Sequence, residues 1–235
     1  SDIMGHSMIL LKDGNILVAG GSKDTFAEFG KSSTSKAYLI DSNSFKIVKQ
    51  MLMPSKFAWH KDFTLKNGNI LFIGGLDNNK GLSQIIEYDV NAKIFQVWSS
   101  GLKIGRGAFA ISELPNDRLL ISGGIISNQQ ITDTSEILDL NSKKSKLLTS
   151  TMNTPRAFHQ TISLPNGDVL LIGGAIKADF LKYLKTNTTR SDSPIVNEYC
   201  DKFGSNCYTN SVDFYLNTAS EFAPSLNGLS FARSN

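Results

Sequence analysis

One nine-residue pattern occurs four times in this chain and limits what it can fold into. It runs Asp13-Gly14-Asn15-Ile16-Leu17-Val18-Ala19-Gly20-Gly21 and returns at Asn67 to Gly75, Asn116 to Gly124 and Asn166 to Gly174, at intervals of about 50 residues. Each copy has the same physical content. An Asp-Gly or Asn-Gly pair supplies the left-handed backbone of a tight hairpin turn. The apolar run that follows suits a strand buried on both faces. A glycine pair then lets the backbone bend where a Cβ would collide.

A second strand-like run precedes each turn, at His6 to Leu11, Trp59 to Leu65, Ala108 to Leu114 and His159 to Leu164. A further hairpin follows each glycine pair, around Ala37 to Asn43, Ile86 to Asn91, Glu136 to Asn141 and Val212 to Asn217, with Asn43, Asn91, Asn141 and Asn217 expected to cap the turns. Four strands per unit follow, with units at approximately 5–53, 54–103, 104–153 and 154–229. Fourteen Phe and nineteen Gly agree with an all-β chain rich in turns. A four-stranded sheet that is apolar on both faces cannot hide both alone, so the units are expected to stack face to face around an axis as a β-propeller.

The glycine pairs, the Tyr88-Asp89 dipeptide with Trp98 downstream, and Pro155-Arg156-Ala157-Phe158-His159 opening a first strand resemble the kelch-repeat family. The pattern is closest to bacterial and galactose-oxidase-type kelch domains, and the resemblance implies a β-propeller of four-stranded blades. The third unit departs from it, with Phe109 where the others carry His. Leu229 to Arg233 matches the approach to a first strand at Thr154 to Arg156, so 230–235 reads as opening a further unit. The four units are then either part of a larger ring, closed by additional blades or by an oligomer, or a complete four-unit ring.

His6, His60 and His159 each stand fourteen residues before the first glycine of a pair. Three imidazoles in one channel are a conceivable metal set, but recurrence in register points to a hydrogen bond tying neighbouring strands; no metal and no cofactor is expected. Lys56, Arg106, Arg156 and Arg233 precede first strands, and the resemblance implies that they form a basic channel rim able to grip a carboxylate. The competing reading makes them repeat-maintenance residues bonded to nearby carbonyls. Arg106, between Gly105 and Gly107, is expected to be the most exposed.

The insertion 175–211 holds Lys182, Tyr183, Arg190, Tyr199 and Tyr208 as candidate binding residues. It also holds Cys200 and Cys207, either a small disulfide-closed loop in an exported protein or two surface thiols. The disulfide reading places the protein in an extracellular or periplasmic compartment, the thiol reading in the cytoplasm. No catalytic motif is recognisable, whether nucleophile elbow, phosphate loop or zinc helix. With 24 basic and 21 acidic residues scattered along the chain, no polybasic block points to nucleic acid. The longest apolar runs are also too short to span a bilayer. The sequence therefore favours a non-catalytic scaffold presenting loops to a protein or glycan partner. The alternative is part of a kelch-type enzyme acting on sugars, mutarotase- or oxidase-like.

Overall fold

The computed structural model describes residues 3–23, 31–176, 209 and 211–223. Among them the chain forms four antiparallel sheets of four strands each. The first comprises β1 (Ser7–Leu10), β2 (Asn15–Ala19), β3 (Lys36–Asp41) and β4 (Ile47–Leu52). The second contains β5 (Lys61–Thr64), β6 (Ile70–Ile73), β9 (Ile85–Asp89) and β10 (Ile94–Val97), with a two-stranded hairpin, β7 (Leu76–Asp77) and β8 (Lys80–Gly81), inserted after β6. The third is built from β11 (Ala110–Leu114), β12 (Arg118–Ser122), β13 (Ser135–Asp139) and β14 (Lys144–Leu147). The fourth has β15 (Gln160–Ser163), β16 (Val169–Ile172), β17 (Val212–Leu216) and β18 (Glu221–Phe222). In every sheet the spatial order follows the chain order, so each is a simple meander.

The second strands carry the core because their side chains alternate between two neighbours. Ile70 and Phe72 of β6 pack with Leu17, Ala19 and Leu39 of the first sheet. Leu71 and Ile73 point the other way, towards Leu119 and Ile121 of the third. Leu120, in turn, joins Val169, Leu171 and Tyr215 of the fourth. The sheets therefore stack face to face in sequence order, and the two middle ones are covered on both sides.

The glycine pairs are required at these contacts. All eight residues have positive φ, and a Cβ on Gly123 would lie 2.3 Å from the Arg156 carbonyl oxygen of the next unit. The second glycine donates its N–H to that same lead-in segment: Gly21 to Phe57 O, Gly75 to Arg106 O and Gly124 to Arg156 O, each at 2.8 Å.

Two turn expectations need correction. In units one, two and four only the glycine of the Asp-Gly or Asn-Gly pair is left-handed, and the loop is one residue longer than a two-residue hairpin, with Leu11 N–H donating to Asn15 O. Of the four turns between first and second strands, only that of unit three, at Asn116 and Asp117, has two successive left-handed residues. At the later turns of the first three units the capping side chain is the aspartate ending the third strand, not the asparagine. Asp41, Asp89 and Asp139 accept backbone N–H bonds from Ser44, Asn91 and Ser142, and the left-handed residues are Phe45, Lys93 and Lys143.

Candidate functional site

The first strands β5, β11 and β15 line a common space, β11 directly beside β15, and form a polar wall. Ser7 Oγ on β1 donates to Asp62 on β5 at 2.6 Å. From β15, the hydroxyls of Thr161 and Ser163 donate to the carbonyls of Ile111 and Glu113 on β11 at 3.1 and 2.7 Å. Short hydroxyl side chains suit these positions because they satisfy a neighbouring strand's polar groups without filling the space in front of it. That space is a cavity of about 500 Å³ lined by β5, β11 and β15, into whose boundary fall the exposed side chains Lys61, Asp62, Glu113 and Gln160. Lys61 and Gln160 bring donors to it and Asp62, Glu113 and Gln160 acceptors, a set suited to a polyhydroxylated or peptidic ligand rather than a purely apolar one.

At one end of the wall a second hollow of about 260 Å³ is bordered by His6, Trp59, Ala108 and Phe158. The residues leading into the first strands, Gly5, Trp59, Ala108 and Phe158, all have φ between 54° and 65°. They are joined in series: Trp59 N–H donates to Gly5 O at 2.8 Å, Ala108 N–H to Trp59 O at 2.7 Å, and Phe158 N–H to Ala108 O at 2.8 Å. Left-handed backbone at an aromatic residue is unfavourable alone and persists where the surroundings hold it in place. Ala108 is small enough that Trp59 and Phe158 meet across it, ring centroids 5.4 Å apart and edge to face. This half-buried aromatic pair at the lip of a polar cleft was not singled out in the sequence. Its signal was the register one residue before each histidine position.

The histidines divide. His6 is exposed, and its Nδ1 lies 3.0 Å from Ile3 O. His60 and His159 are buried and reach back to the preceding sheet, with Nε2 2.8 Å from Ser7 Oγ and 2.9 Å from Ser122 Oγ respectively. Because Ser7 already donates to Asp62, a neutral His60 donates to Ser7. Burial, with smaller contributions from nearby cations, pushes both imidazoles down to about 3. These two histidines tie sheets together. Phe109, at the same position in unit three, packs instead among Ile73, Leu119 and Ile121. Among the described residues no group of three or more His, Cys, Asp or Glu is placed to hold a metal ion.

The basic rim is corrected by the structure at two of its four residues. Arg106 and Arg156 are fully buried, so neither is available at a surface, and Arg106 is not the most exposed of the set. The Arg106 guanidinium donates to Gly123 O and Thr134 O, both at 2.8 Å, and pairs with Glu136 at 3.0 Å. Arg156 repeats this with Gly173 O, Ser211 and Asp213. Burial lowers the pKa of both guanidiniums and the paired acid partly restores it. The two acids also fasten the linkers, since Glu136 accepts the N–H of Lys103 at 2.6 Å and Asp213 that of Asn153 at 3.1 Å.

Lys56 is exposed but out of register. The residue matching Arg106 and Arg156 in unit two is Phe57, whose carbonyl accepts the glycine-pair bond and whose ring is buried. There the acid is replaced by Ile86, in the same core cluster as Phe57, and the linker residue by Pro54, which has no N–H to satisfy. Arg233 and the insertion residues Lys182, Tyr183, Arg190, Tyr199, Tyr208, Cys200 and Cys207 lie outside the described residues. No helix among the described residues is long and apolar enough to cross a membrane.

The fold and this wall define an all-β protein of stacked four-stranded antiparallel sheets. It is similar to the solved structure of YjhT, with a TM-score of 0.64 and 15% sequence identity over 95% of this chain and 71% of that one. No family model matches the sequence, and no curated protein matches it.

Proposed function

We propose that this chain is a kelch-type β-propeller, or a portion of one, that acts as a non-catalytic binding scaffold, taking a glycan along the first-strand wall. Support for the kelch reading comes from the glycine pairs ending β2, β6, β12 and β16, and from four strands per repeat of about 50 residues. The observation that carries the binding reading is the Trp59–Phe158 pair bordering a hollow that shares Lys61 and Gln160 with the adjoining cavity, which Asp62 and Glu113 also edge. Aromatic faces take the apolar side of a sugar ring, while amide and charged groups bond its hydroxyls. The cavity also matches the usual volume of a small-ligand site.

A glycan array followed by calorimetry tests this reading. Glu113→Gln and Gln160→Ala, both at exposed positions, are expected to weaken binding about tenfold or more each without lowering thermal stability. Binding that ignores both substitutions defeats the proposal. Chemical turnover of a bound sugar moves the chain to the enzyme reading.

A further inference from the structure

One acid on the cavity is fixed by more than the joining of sheets requires. Ser7 Oγ donates to Asp62 Oδ1 at 2.6 Å, and Ser7 itself lies 2.8 Å from His60 Nε2. A neutral buried imidazole, a buried hydroxyl and an exposed carboxylate thus form one chain of donation that ends at the cavity. Each bond in such a chain polarises the next and strengthens the hold on the last acceptor. His159 makes the same tie to Ser122, at 2.9 Å, with no acid attached. The joining of sheets is therefore complete without Asp62.

The register shows where the difference arises. Ser7 pairs across its sheet with Ala19, and Ala110 with Ser122, so the serine occupies the same cross-strand pair on opposite strands. On the second strand Ser122 is fully buried, whereas on the first Ser7 reaches a side chain of the next first strand. That side chain's position holds Met8, Ile111 and Thr161 in the other units, and only the second unit places a charge there. Among the described residues Asp62 pairs with no cation, and neither Glu113 nor Lys61 on the same cavity has an ion-pair partner. Two carboxylates against one ammonium leave the cavity with an excess of negative charge. Ser112, also on its lining, is 4% exposed and its hydroxyl has no hydrogen-bond partner, the kind of group a bound polar ligand satisfies.

We infer that Asp62 is the specificity-determining residue of this cavity, that Ser7 and His60 position it, and that the glycan it selects carries a free amino group. The inference rests on the glycan reading of the wall. An ammonium pairs with Asp62 Oδ2, the oxygen that Ser7 leaves free, and gains further from the Glu113 charge on the same cavity. The rings of Trp59 and Phe158 in the adjoining hollow also attract a cation. Lys61 offsets part of this field but not all of it. A neutral hydroxyl in the same place makes a weaker bond to the carboxylate, and a ligand carboxylate is repelled.

Calorimetry with two trisaccharides of the same linkage, cellotriose and its triglucosamine counterpart, tests this in buffer acidic enough to protonate the amines. The glucosamine form is expected to bind about tenfold more tightly. Asp62→Asn should bring the two to equal affinity, and Ser7→Ala should cut the preference to about threefold or less. Ser122→Ala breaks the matching tie to His159, so it should lower the thermal midpoint as Ser7→Ala does and yet leave the preference intact. That contrast separates positioning from loss of stability. A preference that survives Asp62→Asn or Ser7→Ala, or that falls equally in Ser122→Ala, overturns the inference. Equal binding of both trisaccharides by the unaltered chain overturns it too, while leaving the glycan reading in place. If neither binds, the inference falls, and the glycan reading falls with it only if the array also yields no ligand.

Discussion

Replacing Glu136 by Ile leaves the Arg106 guanidinium buried with only neutral oxygen partners, and strips the N–H groups of Lys103 and Ile104 and the Ser145 hydroxyl of their acceptor. Removing one partner of a buried ion pair costs about 3 to 5 kcal/mol, most of it from the uncompensated charge. Unit two shows how the same position is built without charge, with Phe57 and Ile86 in place of the pair and Pro54 in place of the donating linker residue. The double variant Arg106→Phe, Glu136→Ile is therefore expected to recover about 2 kcal/mol or more of the loss, because apolar groups of similar volume replace a buried pair at little net cost. About 1 to 2 kcal/mol remains from the orphaned linker N–H groups. Adding Lys103→Pro removes one of those donors and should recover part of that remainder. Urea unfolding followed by the fluorescence of Trp59 and Trp98 measures all three variants. The reasoning is refuted if Glu136→Ile costs less than about 1 kcal/mol, or if the double variant is no more stable than the single.

Two further outcomes follow from the inter-sheet contacts. His60 and His159 hold pKa values of about 3 in the folded chain against 6.5 when unfolded. The unfolded state thus binds more protons between those values: the contribution is complete above pH 6.5 and shrinks as pH falls, by roughly 1 kcal/mol per histidine per pH unit. Urea midpoints between pH 7 and 5 should show this slope, and His159→Phe, which copies Phe109, should flatten it by about half. Gly123→Ala places a Cβ against the Arg156 carbonyl as well as straining φ, whereas at Gly14 the nearest atom to a Cβ is 3.9 Å away. The first substitution should cost about 2 to 4 kcal/mol and the second about 1, as read from thermal unfolding.

Much of the strand pattern was legible because it is local. A turn pair, an alternating or continuous apolar run and a glycine pair lie within a few residues of one another and report backbone requirements directly. The arginines were legible only as a recurrence. Their partners lie 30 residues away for Arg106–Glu136 and 57 for Arg156–Asp213, beyond any local pattern, so flanking glycines read as room for a ligand where the structure has close backbone packing. Lys56 misled for a related reason: matching by charge placed it one residue off the register that the backbone bond to Phe57 defines. Trp59 and Phe158 were hidden because nothing in an aromatic residue's identity announces a left-handed backbone. That conformation is imposed by the series of bonds linking each unit to the next.

Residue-resolved amide hydrogen exchange tests most directly whether the sheets cover one another in sequence. The amides of Ile70 to Ile73 and Leu119 to Ser122, in strands flanked by a sheet on either side, should exchange the slowest, and those of Ile47 to Leu52, at the exposed edge of the first sheet, far faster. Equal exchange in β6 and β4 would contradict face-to-face stacking, and the wall would fall with it.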